Sequence, residues 1–217
     1  MTFDLFDSLP QDAPHAEPIV PGAVVLRGFA REHAPTLLDH VRDIAAQAPW
    51  RHLITPGGLR MSVAMTNCGP FGWVSDVTGY RYEAADPLSG QPWPAMPDAF
   101  LALARDAAAT AGFADFKPDA CLLNRYAPGT RLSLHQDRDE LDLRAPIVSV
   151  SLGLPAVFLF GGLKRAERVQ RVRLAHGDVV VWGGPARLAF HGIAPLADGD
   201  HALVGRERIN LTLRKTR

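Results

Sequence analysis

Cysteine is nearly absent from this chain: Cys68 and Cys121 are the whole complement in 217 residues. Two cysteines cannot build a disulfide framework, so a reducing compartment is expected. Long apolar runs are missing too, and no stretch approaches the ~18–20 residues of a membrane span. Met1 to Pro10 carries aspartates rather than a basic region, and no apolar signal core follows. Net charge is also absent, with 23 Lys+Arg against 23 Asp+Glu, which argues against tight non-specific coating of DNA. These absences lead to the expectation of a soluble, cytoplasmic protein with no membrane contact; no obligate protein partner is evident, and a monomer is expected.

What is present is ordinary globular composition, 47% hydrophobic and 21% charged, in a length that fits one domain. Glycine (19) and proline (18) are plentiful and favour many turns and short strands over a helix bundle. Residues 1–20, acidic and spaced by Pro10, Pro14 and Pro18, read as a loose arm before a single domain over 21–217. Val24-Val25-Leu26 is a short strand candidate, and Ala64-Met65-Thr66 lies in another. Leu37, Leu38, Val41 and Ile44 recur at helical spacing within 31–47, and a second helix fits 97–112 with Gly112 as its stop. From residue 119 the pattern becomes strand after strand: 119–126, 131–137, 147–154, 156–160, 169–174, 178–182 and 208–214. The class is α+β, mainly β, an antiparallel barrel or jelly roll with helices packed on one side. Charge is unevenly spread. Residues 1–100 hold 6 Lys/Arg against 11 Asp/Glu, and 101–217 hold 17 against 12. The basic excess is sharpest over 164–173, either a solvated strand face or a patch for a polyanion.

His135 and Asp137 stand two apart in Leu132-Ser133-Leu134-His135-Gln136-Asp137, so on a strand both point to one face. Completed by a distant histidine they would make a two-His-one-carboxylate site for non-haem iron, with positions left open for substrate and oxygen. Alone, the pair is a weak signal and reads more readily as the start of a polar loop, since Arg138, Asp139 and Glu140 follow. His15, His33, His40 and His52 precede the barrel, and His176 and His201 sit in a turn and a polar loop. His191, just after the apolar strand Val179-Val180-Val181-Trp182, fits best as the third ligand. In Arg208-Ile209-Asn210-Leu211-Thr212-Leu213-Arg214, two arginines share a face ~20 Å apart when fully extended. A small diacid ligated to iron at one end and salt-bridged at the other suits that arrangement. Leu122, Asn124 and Tyr126 share a face on a fourth strand and add an amide and a phenol.

At these residues the chain resembles the AlkB family of Fe(II)- and 2-oxoglutarate-dependent alkylation-repair dioxygenases. The resemblance runs from about residue 20 to the end. It includes Thr55-Pro56-Gly57-Gly58, Met61 to Gly69, Pro92-Trp93-Pro94-Ala95-Met96-Pro97, Asn124-Arg125-Tyr126-Ala127-Pro128-Gly129, Leu132 to Asp137, Ala145 to Pro155 and Arg208 to Arg214. It implies a double-stranded β-helix (jelly-roll) core over about 119–217 and a nucleotide-recognition lid over about 50–85. His135, Asp137 and His191 would hold Fe(II). Asn124, Arg125, Tyr126, Arg208, Asn210 and Arg214 would bind 2-oxoglutarate. Among these, Arg208 would take the distal carboxylate with Tyr126 and Asn210, and Arg214 and Asn124 the iron-proximal end.

On the substrate side, the resemblance implies that Trp73 stacks on the damaged base, with the His135 ring opposite. Tyr80, Arg81 and Tyr82 would form part of the lid near the nucleic-acid backbone. Asp139 would contact a cationic base, and Arg165 would be a further contact. The reaction implied is oxidative demethylation of N1-methyladenine and N3-methylcytosine in DNA, with RNA a second candidate substrate, consuming dioxygen and releasing formaldehyde and succinate. Two other readings stand beside it: a hydroxylase of a peptide or small molecule using the same iron and cosubstrate residues, and a non-catalytic nucleic-acid binder.

Overall fold

A computed structural model describes residues 15–217, and in it the position of the site follows from how three sheets share the strands. The first half runs β1 (His15–Val20), β2 (Ala23–Arg27), α1 (Ala34–Gln47), β3 (Ala64–Cys68), β4 (Gly72–Asp76), β5 (Gly79–Glu83) and α2 (Asp98–Thr110). The second half runs β6 (Ala120–Tyr126), β7 (Leu132–His135), β8 (Ile147–Gly153), β9 (Ala156–Phe160), β10 (Gln170–Leu174), β11 (Val179–Trp182), β12 (His191–Ile193) and β13 (Arg208–Arg214). A major sheet has the order β1-β2-β11-β8-β13-β6-β3, a minor sheet β10-β9-β12-β7, and β4-β5 is a separate hairpin. Facing antiparallel sheets of this kind, with two helices outside, are the expected jelly roll.

The major sheet is covered on both faces. Outside, α1 (Leu37, Leu38, Val41, Ile44) and α2 (Phe100, Leu103, Ala104, Ala107) pack on Leu123, Val148, Val150, Leu211 and Leu213. Inside, Val25, Leu122, Ile147, Val180 and Trp182 meet Phe158 and Phe160 of the minor sheet. Burial on both sides explains why β11 reads as an unbroken apolar run, and why all seven residues of β13 are buried despite four polar side chains. The helices start and stop where the chain chemistry says they should. A proline lies in the first turn of α1, where no N–H is needed. Gly112 at φ +85° lets the Phe113 N–H turn back to the Ala108 carbonyl after α2.

One expectation changes. Residues 15–20, expected within a loose arm, form edge strand β1, paired antiparallel with β2, and the Glu17 carboxylate takes the Arg27 guanidinium at 2.7 Å. Pro18 is tolerated because an edge strand leaves one side without ladder bonds. Residues 1–14 of the expected arm lie outside the described residues. The glycine-rich stretch after Cys68 contains a hairpin, β4-β5, closed by an Asp76 carboxylate that accepts from the Thr78 N–H at 2.8 Å. β12 is three residues long, too short to show a period. Among the described residues, no helix is long and apolar enough to cross a membrane.

Candidate active site

Pairing between β7 and β12 sets His191 directly opposite His135, with Asp137 two residues beyond. The Asp137 carboxylate lies 3.7 Å from His135 Nε2 through one oxygen and 3.6 Å from His191 Nε2 through the other. The ligand atoms of the three residues all fall within 4.8 Å of one another. Each Nδ1 is engaged by a backbone carbonyl, that of Ser133 at 2.8 Å and of Ala189 at 3.0 Å. Those bonds fix the tautomer and leave both Nε2 lone pairs for a metal. Burial beside His191 lowers the His135 pKa to about 4, so the imidazole is neutral at pH 7. Gly192 makes the close pairing feasible, because a Cβ there would sit 2.5 Å from the Leu132 carbonyl oxygen.

The triad opens into a cavity of ≈ 740 Å³ between the sheets. Alternation along β13 puts Arg208, Asn210, Thr212 and Arg214 on its wall, and the cross-strand partners Asn124 and Tyr126 stand beside Asn210 and Arg208. Asn210 is saturated, donating to Ser149 Oγ at 2.9 Å and the Val150 carbonyl at 2.8 Å and accepting from Thr212. Arg208 is not. It donates to Ser151 Oγ at 2.9 Å, and its guanidinium carbon lies 5.0 Å over the Tyr126 ring. Nε and NH1 of this fully buried guanidinium have no partner among the described residues, nor does Asn124 Oδ1. Burial accordingly lowers the Arg208 pKa, with Tyr126 opposing.

At the other end, Arg214 donates to Asp137 Oδ2 through Nε at 2.9 Å and NH2 at 2.6 Å. Burial would lower its pKa, but Asp137, Tyr82 and Glu140 outweigh that and raise it. Burial would likewise raise Asp137, yet Arg214 and the two histidines hold its carboxyl well below the usual range. Arg125 is not brought to the cavity. It follows Asn124 on β6, so the pleat turns it to the helix side, over Trp50 at 5.2 Å and 3.7 Å from Glu207. Its expected place among the cosubstrate residues is corrected accordingly.

Trp73, Tyr80, Asp139 and Arg165 all reach the wall of the cavity. Trp73 and Tyr80 stack at 5.5 Å with 15° between planes, the Trp73 indole N–H donates to Asp139 Oδ2 at 2.9 Å, and Arg165 lies 5.0 Å over Phe190. Arg81 and Tyr82 do not line it. Arg81 points to the far face of the hairpin, bonded to Asp76 at 2.9 Å and Glu83 at 2.6 Å. Tyr82 shares the cavity-side face, but its hydroxyl is spent on Glu140 at 2.6 Å. Sequence reasoning missed Arg60, Arg131 and Arg138 on the wall, and Glu140 and Arg187 beneath it. The three wall arginines flank the quoted motifs, and proximity was the available signal. Glu140 carried none, sitting in a run that reads as a polar loop, and Arg187 carried none either, a single charge in Ala186-Arg187-Leu188-Ala189.

The family model of the 2OG-Fe(II) oxygenase superfamily matches residues 22–214. The alpha-ketoglutarate-dependent dioxygenase AlkB of Salmonella typhimurium is 58% identical over 211 residues, 97% of this chain and 98% of that protein. The protein of the same name from Escherichia coli is 56% identical over 211 residues, with the same shares covered. Among solved structures, that of OsALKBH1 superposes with a TM-score of 0.81 at 26% identity, covering 93% of this chain and all of that one.

Proposed function

The chain belongs to the 2OG-Fe(II) oxygenase superfamily and, within it, to the AlkB dioxygenases, and from that premise we propose that it removes alkyl groups from damaged bases in nucleic acid. It is an iron- and 2-oxoglutarate-dependent dioxygenase. The donor set fits both groups: two imidazoles and a carboxylate suit Fe(II) with open positions, and a buried guanidinium with two nitrogens unpaired among the described residues calls for an anion. Bound iron with 2-oxoglutarate supplies the oxidising chemistry that attacks an N-methyl carbon.

The chain's own residues divide the remaining work. His135, Asp137 and His191 hold the metal. Arg208, packed on Tyr126, takes the distal carboxylate of 2-oxoglutarate, with Asn210 bracing the strand. Arg214 and Asn124 attend the metal-proximal end. Trp73 stacks on the flipped base against the His135 ring, a sandwich worth ~1–3 kcal/mol per base. Tyr80 and Arg165 hold the strand at the mouth. Asp139 favours cationic rings such as N1-methyladenine and N3-methylcytosine, because a carboxylate in a partly desolvated pocket attracts their charge. Loss of the methyl group as formaldehyde leaves the repaired base. The protein acts in the cytoplasm and as a monomer, its two free, buried cysteines supporting the reducing compartment.

The observation that carries this reading is one cavity holding both the His-Asp-His triad and the unpaired Arg208. Its test is anaerobic loading with Fe(II) and 2-oxoglutarate, then air, with mass spectrometry of an oligonucleotide containing N1-methyladenine. The mass should fall by one methylene while succinate forms. Succinate without repair, across DNA and RNA oligonucleotides, would move the activity to a different substrate.

A further inference from the structure

The metal ligand Asp137 is gripped twice, and both grips converge on a carboxylate that the reaction does not need. Arg187 donates to the Asp137 backbone carbonyl at 2.6 Å and to that of Ala145 at 3.0 Å. Arg214 takes the Asp137 carboxylate, as described above. Behind both stands Glu140: Arg187 NH2 is 3.0 Å from its Oε2, and Arg214 Nε is 3.4 Å from its Oε1. The side chains of Glu140, Arg187 and Arg214 are 1%, 3% and 7% exposed. Two carboxylates and two guanidiniums thus form a buried, charge-balanced square with the metal ligand at one corner.

The hairpin closes this square from outside. Trp73 and Tyr82 lie directly opposite each other on β4 and β5. They hand their donors to consecutive carboxylates, the Trp73 indole to exposed Asp139 and the Tyr82 hydroxyl to buried Glu140. Asp139 faces the cavity and has a use there. Glu140 does not line the cavity at all, and a carboxylate with so little access to water persists only where it is paired.

We propose that Glu140 is a positioning residue for the metal site, holding Arg187 and Arg214 so that Asp137 presents its carboxylate at a fixed point beside His135 and His191. The proposal rests on reading the triad as a metal site. Two consequences follow from the chemistry of the square. A metal at Asp137 draws on the carboxylate whose Oδ2 Arg214 engages, and Glu140 is then the anion that keeps the guanidinium seated. Without the charge of Glu140, Arg214 closes on Asp137 as its one remaining counter-ion and competes with the metal, while Arg187 loses an anchor and the Asp137 backbone loosens.

Glu140→Gln separates these roles, because the amide oxygen still accepts from Tyr82 while the charge is gone. Co(II) titration of the metal-free protein, followed by its visible spectrum, reads both affinity and geometry. Affinity should fall about 10–100-fold, the usual effect of losing a partner behind a metal ligand, with the ligand-field bands shifted. A Gln variant that melts lower yet binds Co(II) with the wild-type constant and spectrum has lost only structure, and that result overturns the proposal. If the Gln variant does not fold, Arg187→Lys keeps the charge and loses the fork that grips the Asp137 carbonyl. It should also weaken Co(II), and wild-type binding by it would overturn the proposal equally. Wild-type protein that binds no Co(II) would instead remove the metal reading beneath it.

Discussion

Arg208 and Arg214 occupy opposite ends of one strand, share its cavity face and are both buried, yet their surroundings are opposite in kind. Arg214 is closed in by Asp137 and Glu140. Arg208 meets one hydroxyl and the face of Tyr126, and two of its nitrogens have no partner among the described residues. The difference shows which end of the cavity is complete in the protein and which is built for something else. A buried guanidinium without an anion is unfavourable, so the Arg208 end still calls for a counter-ion, whereas at the Arg214 end Asp137 and Glu140 already supply one.

The largest expected effect breaks the sealed end. Asp137→Ala removes a metal ligand and leaves Arg214 with Glu140 alone, so turnover should vanish. Stability of the metal-free chain should drop by ~3–5 kcal/mol, the range for breaking a buried ion pair, as read by urea denaturation. At the mouth, away from both ends, Trp73→Ala should raise the oligonucleotide KM by the ~1–3 kcal/mol of one stacked base. Unchanged KM would place the base elsewhere.

Stability of the ligand-free protein sharpens the contrast between the two arginines. Arg214→Leu should lower it, because two buried carboxylates lose a counter-ion. Arg208→Leu should leave it unchanged or raise it slightly, because an unsatisfied buried charge is replaced by an apolar side chain. Equal losses in the two variants, measured by thermal melting, would erase the distinction. The smallest effect belongs to the helix face of β6. Arg125→Ala should cost no more than ~1 kcal/mol, the worth of a half-exposed ion pair, and should leave the affinity for 2-oxoglutarate as it was.

Arg125 also shows where sequence reasoning works and where it stops. Period-2 alternation correctly separated Arg208, Asn210, Thr212 and Arg214 from Ile209, Leu211 and Leu213, and set Asn124 and Tyr126 on one face. The same rule turns Arg125 away from that face, but its membership in a matched motif carried it into the cosubstrate set. The helices were legible because apolar spacing and Gly112 marked them. Strand β1 was hidden by Pro18 and the prolines flanking it, Pro14 and Pro21, and the β4-β5 hairpin by its glycines. Glu140 was hidden by its own chemistry, since a charge run is ordinarily solvated, and Arg187 by standing alone among apolar residues. Only the fold reveals that these two charges neutralise each other beneath the metal ligand.

The central claim is that the open end of the cavity, at Arg208, is the seat of a dicarboxylate whose other end meets the metal. Calorimetric titration of 2-oxoglutarate into Mn(II)-loaded wild-type protein and its Arg208→Leu variant tests it most directly. The variant should bind more weakly by ~2–5 kcal/mol, about 30-fold or more, as expected when a buried carboxylate loses its charged partner. Equal affinity in the two proteins would contradict the claim and leave the unpaired nitrogens of Arg208 without a ligand.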